Sequence, residues 1–294
     1  MSVAIGSLVL AAGASDFGTP GWYLQQDGLV DWDAVTDSKT EIRERPQAEG
    51  AASVPRDVRS SLPFSISGIY VSPSADPQLA RIDVQNAKVT LSLAAGQGRS
   101  VPVVVDDVDG SMRRRASVRK ITPDTGYSVN SYAWTMDLVA PDPLKYGAEV
   151  TLQTTPPSTG GGLVWPLGTT SGKYCDWGSD GSSGRVSFLN FGTAPAWPIL
   201  RATGGMSGGF TATSDAGDVV RFERVIPAGS VVQINQRTGA AWIDAPGNDV
   251  SRFVNGRGFF SFPPQSLHWV QFAPIGTTSG SPVFELVASP AFRG

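Results

Sequence analysis

The sequence predicts a mainly β protein, with a β-rich N-terminal domain that carries one helix and a C-terminal β-sandwich. Three observations point there. The 294 residues include 34 glycines and 22 prolines, so many turns separate short elements. Apolar and polar residues alternate with a period of two in the first half, as at Leu62, Phe64 and Ile66 against Pro63, Ser65 and Ser67. In the second half short β-rich segments recur at regular spacing between turn signals, the pattern of a sandwich or barrel.

Taken in order, residues 7–14 read as a first strand and turn, since no basic residue precedes their short apolar run as a secretory signal needs. The strand around Leu62 to Ile66 is bounded by Arg59 and Gly68. Asp76 is placed to cap a helix, Pro77 suits its first turn, and Leu79, Ile82, Val89 and Leu93 approximate the apolar stripe expected to face the core. Val101 to Val105 is apolar except for Pro102, which argues for an edge strand or a strand start because proline cannot donate to a ladder. Tyr132, Trp134, Met136 and Leu138 alternate with polar or small residues and form the clearest strand of this half.

From Pro141 the composition shifts, and residues 156–162 and 178–184 are Gly/Ser/Pro-rich and bracket Trp165 and Trp177. The expected division is therefore 1–155 for the first domain, 156–184 for a linker or loop and 185–294 for the sandwich. Nine strands are expected there, at 186–190, 199–203, 209–213, 219–225, 230–235, 241–243, 258–262, 267–273 and 283–287, with no helical periodicity.

Composition narrows the function. A formal net charge of −3 provides no basic field for nucleic acid or an anionic membrane. No stretch approaches the roughly 20 apolar residues that span a bilayer, so a soluble chain is expected. The lone Cys175 excludes an intrachain disulfide and a cysteine-based zinc cluster, and reads as a small residue in a Gly/Ser-rich loop. His268 is the one histidine, set between Leu267 and Trp269 in an expected strand, and no nucleophile-elbow, P-loop or dinucleotide motif accompanies it. Catalysis is therefore disfavoured, and no cofactor is implied. Asp106, Asp107 and Asp109 before Gly110 resemble a calcium loop only loosely, because the first and closing ligand positions fall on Val105 and Ala116. They read as a solvated hairpin tip.

Asn190-Phe191-Gly192-Thr193-Ala194-Pro195 with Trp197-Pro198 and a strand ended by Gly204, the turn-strand segment from Ile226 through Asn235, and Phe259 through Val270 with Pro263-Pro264 follow one another in a set order. Together they resemble the distal tail protein family of siphophages, the Dit-like minor tail proteins of actinobacteriophages. Gln265 stands where that family commonly has a turn glycine, and Asn235 where it has aspartate. In the first half, the segment from Arg59 to Gly68 and the run Leu138-Val139-Ala140-Pro141-Asp142-Pro143-Leu144-Lys145-Tyr146-Gly147 resemble the same family more weakly.

The resemblance implies a non-enzymatic structural protein of the virion tail tip, assembled in the host cytoplasm. Its N-terminal belt domain would form a homohexameric ring, and a galectin-like sandwich would project outward. The implied partners are the tail tube protein, the tape-measure protein and the baseplate hub or tail-associated protein, with DNA passing through the lumen but not bound specifically. Arg113, Arg114, Arg115, Arg119 and Lys120 form a basic patch that would face that lumen, pair with acidic neighbours across a subunit boundary, or serve as a charged hairpin arm. An alternative role is carbohydrate binding during adsorption, with Trp242 or Trp269 stacking on a sugar ring and His268 bonding its hydroxyls; core packing or protein docking are the plainer uses of these aromatics.

Overall fold

A computed structural model describes residues 1–12, 21–37, 59–108, 110–124, 128–162 and 180–293. Cys175, Trp165, Trp177 and Asp109 lie outside these residues. The described chain forms two units, Met1–Gly147 with Phe292–Gly294, and Ala148–Ala291. No helix among the described residues is long and apolar enough to cross a membrane.

The first unit contains β1 (Ser2–Ile5), β2 (Leu8–Ala12), β3 (Gly21–Val30), β4 (Leu62–Val71), helix α1 (Pro77–Ala94), β5 (Ser100–Asp107), β6 (Gly110–Pro123), β7 (Ser131–Ala140) and the short β8 (Lys145–Tyr146). Seven strands run in the order β6-β5-β1-β2-β3-β4-β7, and β7 pairs again with β6, so the sheet closes on itself. The 14-residue β6 makes this closure. Its first half pairs with β5 up to Ser117 opposite Ser100; from Ser117 opposite Val139 onward it pairs with β7. A register shift between Val118 and Lys120 gives the bend that lets one strand serve two ladders.

Alternation fills the enclosed core. Val3, Ile5, Leu8, Leu10, Phe64, Ile66, Val103, Val105, Trp134 and Met136 are all buried there. Pro102 is near the start of β5, beyond the last β1 pair at Ile5 opposite Val103, so its missing N–H costs no bond to β1. Of the two expected places for this proline, the strand start is the one observed, since β5 is paired on both sides.

Gly68 does not end its strand, which continues to Val71. A side chain there would come within 2.6 Å of the Trp134 ring, so glycine makes room for the largest core residue. Beyond Gly68 the strand is covered on both faces, and Ile69 and Val71 join Ala133 and Tyr23 in a second buried cluster.

Helix α1, lying against β2, β4 and β7, starts as expected: Asp76 accepts from the Gln78 N–H at 2.8 Å, and Pro77 opens the first turn. Its expected inward stripe is reversed. Ala80, Ala87, Leu91 and Ala94 are buried, whereas Leu79, Ile82, Val89 and Leu93 are exposed. Three alanines and Leu91 at this spacing form their own stripe, and the alanines let the helix approach the sheet closely.

Arg114 is the one arginine of the basic patch that points into the unit, where it is 1% exposed. Its guanidinium donates to the carbonyl oxygens of Trp32 and of Pro143, the latter at 2.8 Å, and lies 4.8 Å over the Trp32 ring. Burial pulls its pKa down to about 10, opposed by Asp33 and Asp142. It remains a cation at neutral pH and serves as a clamp. The neighbouring run completes the clamp: Tyr146 donates to Asp142 Oδ2 at 2.6 Å, and Lys145 pairs with Asp33.

The second unit contains β9 (Val150–Thr154), β10 (Arg185–Asn190), β11 (Ile199–Met206), β12 (Phe210–Ser214), β13 (Val219–Phe222), β14 (Val231–Asn235), β15 (Ala241–Ile243), β16 (Val254–Arg257), β17 (Ser266–Pro274) and β18 (Thr278–Ala288). They form two five-stranded sheets, β10-β17-β12-β13-β16 and β15-β14-β11-β18-β9. Phe210 and Phe272 of one sheet meet Phe284 of the other at 5.9 and 5.1 Å, with all three fully buried, so the sheets pack face to face.

Two boundaries differ from the sequence expectation. Residues 150–154 pair with β18 and belong to the second unit, so the division falls after Gly147 rather than at 155. The chain also returns to the first unit at its end, where β19 (Ala291–Phe292) lies beside β8. The expected strand at 258–262 is replaced by β16 and an irregular stretch, in which Phe262 makes only a bridge to Ala196. Pro263 and Pro264 end the supply of ladder donors just beyond it.

Two substitutions and one control test these cores. Arg114→Ala should cost about 2–4 kcal/mol in denaturant unfolding, because it strips two carbonyls of their donor and removes a packed stem, whereas Arg115→Ala should change stability by no more than about 0.5 kcal/mol. Phe210→Ala should cost about 3–5 kcal/mol through the cavity left between the sheets.

Candidate functional site: assembly surfaces and the sandwich entry

Three regions carry the residues that the sequence singles out. The first is β6. With Arg114 used internally, Arg113, Arg115, Arg119 and Lys120 remain exposed on the strand. Arg113 and Arg115 share the face opposite Arg114, as the period of two requires, and Arg119 sits at the register shift. Arg115 reaches back to the Ser100 carbonyl at 2.9 Å, and Lys120 is opposite Asp137 on β7. The patch is thus split: one member is structural, and the others present a basic row on the outside of the unit.

The second region is the hairpin that joins β5 to β6. Asp106 and Asp107 close β5 and are exposed, and Val108 at the tip is 95% exposed. Its N–H donates to Asp107 Oδ1 at 2.9 Å, which shapes the turn without covering the valine. No group of three or more His, Cys, Asp or Glu side chains suited to a metal occurs among the described residues.

The third region is the entry to the sandwich. Asn190 is fully buried, and its Nδ2 donates to the carbonyls of Ala194 and Phe262 at 2.9 Å and of Pro263 at 3.2 Å. Its Oδ1 accepts from the Gly192 N–H at 3.1 Å. Gly192 lies so close to Ala291 that a Cβ would stand 2.0 Å from that carbonyl oxygen. Gln265 has φ +56, the left-handed conformation that favours glycine, and its Nε2 donates to the Phe191 and Gly192 carbonyls at 2.6 and 3.0 Å. A glutamine is therefore held there by bonds that glycine could not make.

The sugar-binding candidates do not share a face. On β17, Val270 and Phe272 face the core, so His268 points to the same side and Trp269 to the other. His268 stacks on the buried Phe262 at 5.5 Å, whereas the guanidinium of Arg185 lies 4.2 Å over Trp269. Trp242 belongs to the opposite sheet, on β15.

Sequence reading missed one chain of contacts. His268 Nδ1 is 2.7 Å from Asp215 Oδ2, and Nε2 is 2.7 Å from the Ser266 hydroxyl. This is the connectivity of a serine–histidine–aspartate triad. The same hydroxyl is 3.0 Å from the Pro263 carbonyl and 3.2 Å from that of Pro264, so its single proton has competing acceptors. The geometry suits a latch that ties the start of β17 to the turn at Asp215. Ser266 and His268, two apart on one strand, were the available signal; Asp215 is 53 residues from His268 and nothing local marks it.

No protein-family model matches the chain, and no curated protein sequence does. Solved structures do match in fold. The Dit protein of SPP1 (gp 19.1), described as a paradigm of the hub adsorption apparatus in phages that infect Gram-positive bacteria, superposes with a TM-score of 0.58 at 11% identity, over 97% of each chain. A chain of the phage p2 baseplate in its activated conformation with Sr gives 0.53 at 9% identity, over 94% of each chain; the corresponding structure with Ca gives 0.50 at 9% identity, also over 94% of each. At such identities the likeness concerns the fold, and the chain has the mainly β fold of these phage Dit and baseplate chains.

Proposed function

We propose that this chain is a non-enzymatic structural subunit of a phage tail tip, which forms a ring of six copies through its first unit and links the tail tube to the baseplate hub. The observation that carries the reading is a fold match over nearly the whole of both chains, since a shared sandwich alone would match only the second unit. The surfaces of the first unit support it. A closed barrel removes free sheet edges, and what remains on the outside is a basic row, an acidic hairpin tip and an apolar helix ridge. In this reading the second unit is the outward, galectin-like module. A glycan-binding role for it has no common face for Trp242, His268 and Trp269 behind it.

Light scattering and negative-stain imaging of the full-length chain at high concentration test the proposal. The expected result is a closed ring whose mass is six times that of the chain. A strictly monomeric particle at every concentration would contradict it.

A further inference from the structure

The β15-β14-β11-β18-β9 sheet carries one continuous row of long side chains across all five strands. Trp242 on β15 is opposite Gln233 on β14, Gln233 opposite Arg201 on β11, Arg201 opposite Glu285 on β18, and Glu285 opposite Gln153 on β9. Directly opposite residues point to the same side of a sheet, and their chain neighbours Ile234, Leu200 and Leu286 are fully buried in the sandwich core. The row therefore lies on the outer face. Strand spacing makes it roughly 19 Å long.

The row is held by its own members. Arg201 Nε donates to Gln233 Oε1 at 3.0 Å, Gln153 Nε2 donates to Glu285 Oε1 at 2.7 Å, and Arg201 Nη1 stands 3.9 Å from Glu285 Oε2. These contacts orient planar groups and leave hydrogen-bonding capacity unused among the described residues: Gln233 Nε2, the terminal nitrogens of Arg201, Glu285 Oε2 and the side-chain oxygen of Gln153. The side chains of Arg201 and Glu285 are 31% and 20% exposed, partly desolvated yet within reach of a ligand. At one end the Trp242 indole is half-buried. The parallel row beside it, Val231, Thr203 and Val283, is half-buried and largely apolar.

The composition of the row selects its ligand. Arg201 and Glu285 cancel in charge, and Asp249, which bridges to Trp242, is engaged by the N–H and hydroxyl of Ser251, so the face has no strong field for a polyanion or a polycation. Donors and acceptors stand side by side, which suits hydroxyl groups, each of them both donor and acceptor. An indole at the end and an apolar row alongside suit the C–H face of a sugar ring.

We propose that this row binds a neutral oligosaccharide, with one sugar ring on Trp242 and the hydroxyls of the following units bonded to Gln233, Arg201, Glu285 and Gln153. Of the three sugar-binding candidates in the sequence it keeps only Trp242. The site uses the second unit alone and is independent of the ring reading.

An array of short neutral and acidic oligosaccharides, probed with the fluorescently labelled full-length chain, tests the proposal. Retention on neutral glycans is expected, weakened roughly tenfold or more by Trp242→Ala and by Arg201→Ala/Glu285→Ala, each with the wild-type circular dichroism spectrum. Ser187→Ala, on the other sheet, should bind as the wild type does. No retention on any neutral glycan, retention confined to acidic glycans, or binding that survives both variants overturns the assignment and leaves the ring reading standing.

Discussion

Ser117 belongs to two ladders, and the first unit depends on that sharing. It faces Ser100 on β5 and Val139 on β7, so one long strand closes the seven-stranded sheet into a barrel. Closure decides which side chains are inside. It turns Arg114 inward between Trp32 and Pro143, and it leaves Arg113 and Arg115 on the outer face of the same strand. It also fixes a sheet over which α1 lies on Ala80, Ala87, Leu91 and Ala94, and that packing leaves Leu79, Ile82, Val89 and Leu93 on the outward side. The exposed ridge therefore follows from the packing of the core.

Much of the fold was legible because strand periodicity is a local signal. The alternation at Leu62 and at Tyr132, the Asp76 cap with Pro77, and most strands of the sandwich lie where the pattern places them. The failures were non-local. The helix stripe was read by size, since large apolar residues usually face the core; here three alanines and Leu91 do, and only the sheet beneath them shows why. Residues 150–154 look like the tail of the first domain until β18, more than 120 residues later in the chain, pairs with them.

The candidate site was legible in parts. The basic patch reads as one block in sequence, but strand alternation separates Arg114 from its neighbours and makes it a buried clamp. The same alternation sends His268 and Trp269 to opposite faces, which a reading by proximity in sequence joins. The entry segment gained a physical basis: Asn190 satisfies three carbonyls, Gly192 makes room for Ala291, and Gln265 holds a backbone conformation suited to glycine. Those contacts explain why residues spread over 70 positions form one motif.

The two units divide the work. The sandwich completes its own phenylalanine core, whereas the first unit exposes the apolar ridge of α1 and the basic row of β6. Electron cryo-microscopy of the assembled full-length chain tests this division most directly. The expected result is a closed ring in which first units touch one another. A particle held together through its sandwich units would contradict it.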